Sequence, residues 1–322
     1  MAEAMEMIQF AFMQRALIAA LLVGLTAPAV GTFLVQRRLA LIGDGMGHVA
    51  LAGVALGLLT STSPVWTALA AAAAGAVLIE LMRAYGRTSG DVALAILFYG
   101  GIAGGVVLIS LSPGGTPANL TAYLFGAITT TTLSDLVVFA VLAVVVLGSV
   151  LLLAPRMFAV SNDEEYARAT GMNVLGLNLL LAILTAATVV VSMRVVGLLL
   201  ISALMIVPNA IAQQVARSFR GTLLSAVAVG TLTSVVGVTA SYYTNTPSGG
   251  TIVVLAIAVF LLVAVGAATR RRVMSRRHPG THYHPHEHGA ECGHPAVEHG
   301  DHVDFLHDGS RHAAHGGHYD EH

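Results

Sequence analysis

Lysine is absent from this chain of 322 residues, and cysteine occurs once, at Cys292. A lone cysteine excludes an intrachain disulfide and leaves the redox compartment unread. Charge is scarce as well: Asp, Glu, Lys and Arg together make up 10% of the residues, against roughly 25% in a soluble globular domain. No HExxH sequence is present, which removes the simplest membrane metalloprotease. The N-terminus does not read as a signal peptide, because Glu3 and Glu6 precede an apolar run without a small-residue cleavage pattern.

What fills the chain instead is hydrocarbon, with 56% hydrophobic residues. Residues 1–269 hold several apolar runs, each near the ~20 residues that cross a bilayer as helix. Only helices satisfy their own backbone groups in lipid one segment at a time. The fold class is therefore an all-α polytopic membrane protein, multi-pass in the cell's inner (plasma) membrane. Spans are expected near 14–36, 40–60, 64–82, 92–111, 133–154, 175–192, 195–214, 221–241 and 250–269. That makes nine. The count falls to eight if 175–214, interrupted only by Ser192, Met193 and Arg194, is one bent helix plus a short one. Pro208 is a candidate kink or break in the seventh span.

Arginines orient the bundle. They follow the first, third, fifth, seventh and ninth spans, as Arg37 and Arg38, Arg83 and Arg87, Arg156 and Arg168, Arg217 and Arg220, and Arg270 to Arg272. With nine spans these all fall on one side, which the positive-inside rule makes cytoplasmic. Arg15 mildly opposes this.

The remainder divides in two: a transmembrane region, 1–277, and a tail, 278–322. The tail holds 13 of the 14 histidines and eight of the 17 acids. Its proline, glycine and charge argue for disorder without metal. His282, His284, His286, His288, Cys292 and His294 offer borderline ligands at close spacing, suited to zinc. No fixed four-ligand finger spacing appears, so a flexible buffer is the expected form.

One histidine lies outside the tail. His48 follows Asp44 by four positions in IGDGMGHVALAGVALG, residues 42–57, which places both on one helix face. A carboxylate at membrane depth is a functional-site hypothesis by default, and both groups ligate divalent metals. The residues alone leave a second account open, in which Asp44 starts the helix or pairs with Arg37 or Arg38. Two ligands also leave a coordination shell incomplete. On the inner side, residues 161–176 read SNDEEYARATGMNVLG. Ser161 or Asn162 is a candidate cap for a short helix carrying Asp163, Glu164 and Glu165 in its first turn, with Gly171 ending it. Such a helix is either a connector or a docking surface.

These stretches, with others, carry a resemblance. RRLALIGDGMGHVALAGVALG at 37–57 has an arginine-rich turn and a GD-x-x-x-H-x-A-x-x-G-V-A-x-G pattern. Beside it stand SGDVALAILFYGG at 89–101, NLTAYLFGAI at 119–128, EEYARATGMNV at 164–174, LLLISALMIVPNAIAQQVARSF at 198–219 and TPSGGTIVVLA at 246–256. Jointly, across residues 8–270, the chain resembles the permease subunit of ABC-type zinc and manganese importers, the ABC-3 family.

The resemblance implies a homodimeric permease in the lipid bilayer, driven by two cytoplasmic ATP-binding subunits and supplied by an extracytoplasmic metal-binding protein. It implies a metal site in the pathway at Asp44 and His48, and a segment coupling to the ATPase at Glu164, Glu165, Arg168 and Gly171. No Walker A sequence is present, so ATP hydrolysis is expected in a separate subunit and no cofactor is expected here. Zn2+ is the expected transported ion and a candidate tail ligand. Mn2+ or Fe2+ import is the first alternative, and a proton-coupled secondary carrier the second. No nucleic-acid partner is expected. Gly43, Gly45 and Gly47 around the pair, and the long histidine tail, depart from the simplest family pattern.

Overall fold

The computed structural model describes residues 7–85, 90–111, 124–126, 131–193, 196–198 and 201–277, and in the tail 293–299, 302–307, 310–315 and 318–321. Ten helices run in chain order: α1 Ala11–Gln36, α2 Ile42–Leu59, α3 Pro64–Tyr85, α4 Gly90–Ser110, α5 Leu133–Asn162, α6 Glu164–Ala169, α7 Val174–Ser192, α8 Ile201–Val215, α9 Phe219–Thr244 and α10 Ser248–Arg277. Among the described residues, eight of them are long and apolar enough to cross a membrane. The expected seventh span is the one that falls short. It is α8, with 15 residues, about 22 Å of helix against a hydrocarbon core of about 30 Å.

The break lies where the proline signal did not put it. Pro208 sits inside a continuous α8, and the non-helical backbone comes earlier, around Gly197, whose φ is +90°. A Cβ there would lie 2.6 Å from the Gly126 amide nitrogen, so glycine is required on two counts. This stretch is enclosed by protein: Met193, Val196 and Leu198 are all buried. Irregular backbone is tolerated at membrane depth only under such cover.

Other boundaries also moved. The fifth span was expected to end at Ala154, yet α5 continues through Pro155 to Asn162. Its start is fixed by a capping box, in which Thr132 accepts from the Asp135 amide and the Asp135 carboxylate accepts from the Thr132 amide. The short helix α6 is capped by Asp163, which accepts from the Tyr166 amide at 2.8 Å, rather than by Ser161 or Asn162. Gly171 ends it as expected, with φ +81°.

The centre of the bundle is α1, α7 and α2, with 72%, 67% and 61% of their spanning windows buried, against 22% for α4. Small residues let these helices approach closely. A Cβ on Gly24 of α1 would stand 2.7 Å from the Thr231 Cα of α9. The largest buried side chains include Phe33, Met46, Phe139, Ile201 and Met205.

The chain divides into two compact units, 1–261 and 262–322. The second contains four antiparallel strands in chain order, β1 Ala296–His299, β2 His302–His307, β3 Ser310–His315 and β4 His318–Glu321. The sequence signal that accompanies these strand pairs is local. The paired ends His299 and His302, His307 and Ser310, and His315 and His318 are joined in sequence by Gly300-Asp301, Asp308-Gly309 and Gly316-Gly317. Such dipeptides favour two-residue hairpin connections.

Candidate functional site

The turn from α1 to α2 is tightly made. Arg37 caps α1, Arg38 takes a left-handed conformation at φ +58°, and the Leu39 amide reaches back to the Leu34 carbonyl at 2.8 Å. The Ile42 amide then bonds to the Leu39 carbonyl at 3.0 Å, and α2 begins. Leu41, at the N-cap, offers no side-chain cap, and Asp44 lies in the first turn. The positive end of the helix dipole favours a carboxylate there. His48 follows one turn later on the same face.

Three glycines show which way that face points. A Cβ on Gly47 would lie 3.2 Å from the Leu198 carbonyl oxygen, and one on Gly43 would lie 3.2 Å from the Met205 sulfur. One on Gly45 would meet Leu94 of α4 at 3.1 Å. At about 100° per residue, Asp44 and His48 project between the α8 side and the α4 side. Met46 and Ala50, both 0% exposed, point the other way into the core. The pair is half-buried. The glycines therefore serve close approach rather than a loosened helix start. Gly101 of α4 does the same from its side: a Cβ there would stand 2.7 Å from the Val49 amide nitrogen. Phe98, also on α4, meets the His48 ring edge-to-face with centroids 4.5 Å apart.

The second account of Asp44, a pair with the neighbouring arginines, does not describe this structure. Among the described residues no ion pair joins Asp44 to Arg37 or Arg38. Arg37 turns elsewhere, donating to Asn178 of α7 at 2.8 Å and to Glu164 of α6 at 3.3 Å. Of the acids whose side chains are described within the long helices, Glu80 holds Arg83 at 2.7 Å and Asp135 caps α5, while Asp44 has no ion pair among the described residues.

Of the four residues expected to couple to the ATPase, Glu164, Glu165 and Arg168 lie on α6 and Gly171 follows its end. Glu165, Tyr166 and Arg168 are exposed, while Ala167 is buried against the Val160 and Val174 side of the bundle. Glu164 accepts from Arg168 at 3.0 Å with one carboxylate oxygen and from Arg37 with the other. The sequence reading missed Arg37, Asn178 and Phe98. Arg37 reads in the sequence as an orienting charge or a partner for Asp44, and the one signal for its actual partner is a polar Asn178 in an apolar helix.

In the tail, His282, His284, His286, His288 and Cys292 lie outside the described residues, and His294 is half-buried. Among the described residues no group of three or more His, Cys, Asp or Glu stands close enough to hold a metal ion. Asp44 and His48 thus bring two donors from one chain.

A two-donor face beside an interrupted helix, in a bundle of eight long spans, agrees with a match to the ABC 3 transport family over residues 9–267. The chain belongs to the ABC 3 transport family. It is accordingly a multi-pass membrane permease subunit of an ABC transporter, with ATP hydrolysis residing in a separate subunit. The permease is 33% identical over 264 residues to the manganese import system permease protein ScaB of Streptococcus parasanguinis, covering 82% of this chain and 93% of that one. It is 30% identical over 236 residues to the high-affinity zinc uptake system membrane protein ZnuB of Buchnera aphidicola, covering 73% and 90%. Among solved structures it is similar to PsaBC from Streptococcus pneumoniae in complex with Fab, with TM-score 0.74, 30% identity, and coverage of 81% and 94%.

Proposed function

We propose that this permease forms the membrane pathway of an ATP-driven importer for a divalent transition metal, with Asp44 and His48 as pathway ligands. The observation that carries the reading is the position of Asp44. It is an acid in a central helix with no ion pair among the described residues, one turn from the only histidine outside the tail, on the face turned from the core. A single chain supplies two donors, so the shell is completed by a second copy. The homodimer then offers two carboxylates and two imidazoles. That set is strong enough to replace part of the hydration shell and open enough to release the ion.

The preferred ion is Mn2+, with Zn2+ as the second reading. The expectation of zinc rested on the histidine tail, which lies beyond the family match at 267. Within the pathway, carboxylate oxygen suits manganese and imidazole suits zinc, so the paired set accepts either. The manganese-named relatives match 82–84% of the chain at 28–33% identity, against 73% at 30% for the zinc-named one. A proton-coupled carrier is disfavoured because Glu80 and Asp135 are held by structural partners.

The partners follow from the same reading: two ATP-binding subunits docked at α6 through Glu164, Glu165, Arg168 and the turn at Gly171, and an extracytoplasmic metal-binding protein at the opposite end. The tail, on the cytoplasmic side, buffers incoming metal through His282, His284, His286, His288, Cys292 and His294. The test is uptake of Mn2+ and Zn2+ in competition by the complete transporter in vesicles. Asp44→Ala and His48→Ala should each abolish uptake of the preferred ion while the complex still assembles. Wild-type uptake in both variants would contradict the pathway assignment.

A further inference from the structure

A buried cation connects the docking helix to the helix that bears the proposed metal ligands. Glu164 sits at the start of α6 with a side chain 39% exposed, and its carboxylate serves two arginines at once. Arg168, with a side chain 71% exposed, takes one oxygen from the outer surface of α6. Arg37, with a side chain only 6% exposed, takes the other from within. The second guanidinium arm of Arg37 donates to the Asn178 side chain of α7.

Arg37 is also the last residue of the α1 cap and stands seven positions before Asp44. The hydrogen bonds from Leu39 to Leu34 and from Ile42 to Leu39 make the intervening turn a stiff unit. A displacement of the guanidinium is therefore carried to the first turn of α2. The surroundings leave room for such a displacement. A polar cleft lined by Glu80, Arg83, Glu164, Arg168 and Asn178 opens beside the pair. Burial draws the Arg37 pKa down, and the nearby charge of Glu80 opposes this.

We propose that Arg37 is a positioning residue that relays the state of α6 to Asp44 through the Arg168–Glu164–Arg37 chain. The physical reason is the cost of stranding a buried charge. A guanidinium this enclosed does not give up a carboxylate freely. When a partner protein engages Arg168 and shifts Glu164, Arg37 follows, and the start of α2 moves with it. Asn178 fixes the direction of that movement by holding the other arm to α7. The inference rests on the proposed reading of α6 as the ATPase docking helix and of Asp44 as a pathway ligand.

The test uses the full transporter reconstituted with its ATP-binding and metal-binding partners, reading ions taken up per ATP hydrolysed. Glu164→Gln keeps the shape and removes the charge, and Arg37→Lys keeps the charge and removes the two-armed contact. Each should lower ions per ATP by at least about fivefold, the low end of typical coupling between sites. The double variant should be no worse than the more severe single one, because both break the same chain. Unchanged ions per ATP in Glu164→Gln overturns the proposal, as do effects that multiply in the double variant. Loss of assembly in Glu164→Gln also overturns it, since Glu164 would then act in docking alone. If Arg37→Lys fails to fold, Glu164→Gln alone decides between these outcomes. Asp44→Ala is run in parallel. Full uptake in that variant counts against the pathway reading, whereas the relay is read from the stoichiometry of the charge variants.

Discussion

Two polar groupings lie within a few residues of each other, and the structure treats them in opposite ways. At the α1–α2 turn and the surface beside it, Arg37, Asn178, Glu164, Arg168, Glu80 and Arg83 are joined by hydrogen bonds and ion pairs. One turn further along α2, Asp44 and His48 have no ion pair among the described residues, and the His48 ring meets the Phe98 ring edge-to-face. Charge in an apolar bundle persists where partners offset its desolvation. Asp44 has the positive end of the α2 dipole in place of an ion pair, and a ligand from outside the chain is what the proposed site would add. The paired set holds helices together, and the proposed relay runs through it. The unpaired set is the one proposed as half of a binding site.

Substitutions sharpen this contrast, beginning where the effect is greatest. Asp44→Ala and His48→Ala should each cut metal uptake by about 100-fold or more, as loss of a directly interacting group does, with little change in thermal stability of the purified permease. Uptake assays and melting curves on the same preparations check both halves. Arg37→Ala should add a loss of unfolding stability of about 3 kcal/mol to its loss of coupling, the low end for breaking a buried pair, because the half-exposed Glu164 can rehydrate. Thr132→Ala removes one side of the α5 capping box and should cost about 1 kcal/mol with uptake unchanged. That result would place Asp135 with the structural acids. Deleting 278–322 should leave uptake in place and shift its dependence on external zinc, read as a change in the concentration for half-maximal uptake.

Much of this was legible in the sequence, for physical reasons that also mark its limits. Long apolar runs gave the helices, since length and hydrophobicity alone decide whether a segment spans. Asp44 and His48 stood out because charge and imidazole are rare in such runs. The broken seventh span was mislocated. Pro208 is a strong local signal, but what excludes a side chain at Gly197 is close approach to distant backbone, Gly126 among it. The zinc preference was read from the richest histidine stretch, whereas the family match ends before it. The Arg37–Asn178 contact joins residues 141 positions apart, and no periodicity or spacing rule reaches that far.

The central claim is that Asp44 and His48 are half of a site which a second copy completes. Equilibrium binding of Mn2+ to the purified dimeric permease tests it, taken as the difference between wild type and Asp44→Ala so that ligands in the tail cancel. The account predicts a lost component of one ion per two chains, with the same component lost in His48→Ala. A lost component of one ion per chain, or no difference between wild type and Asp44→Ala, would contradict it.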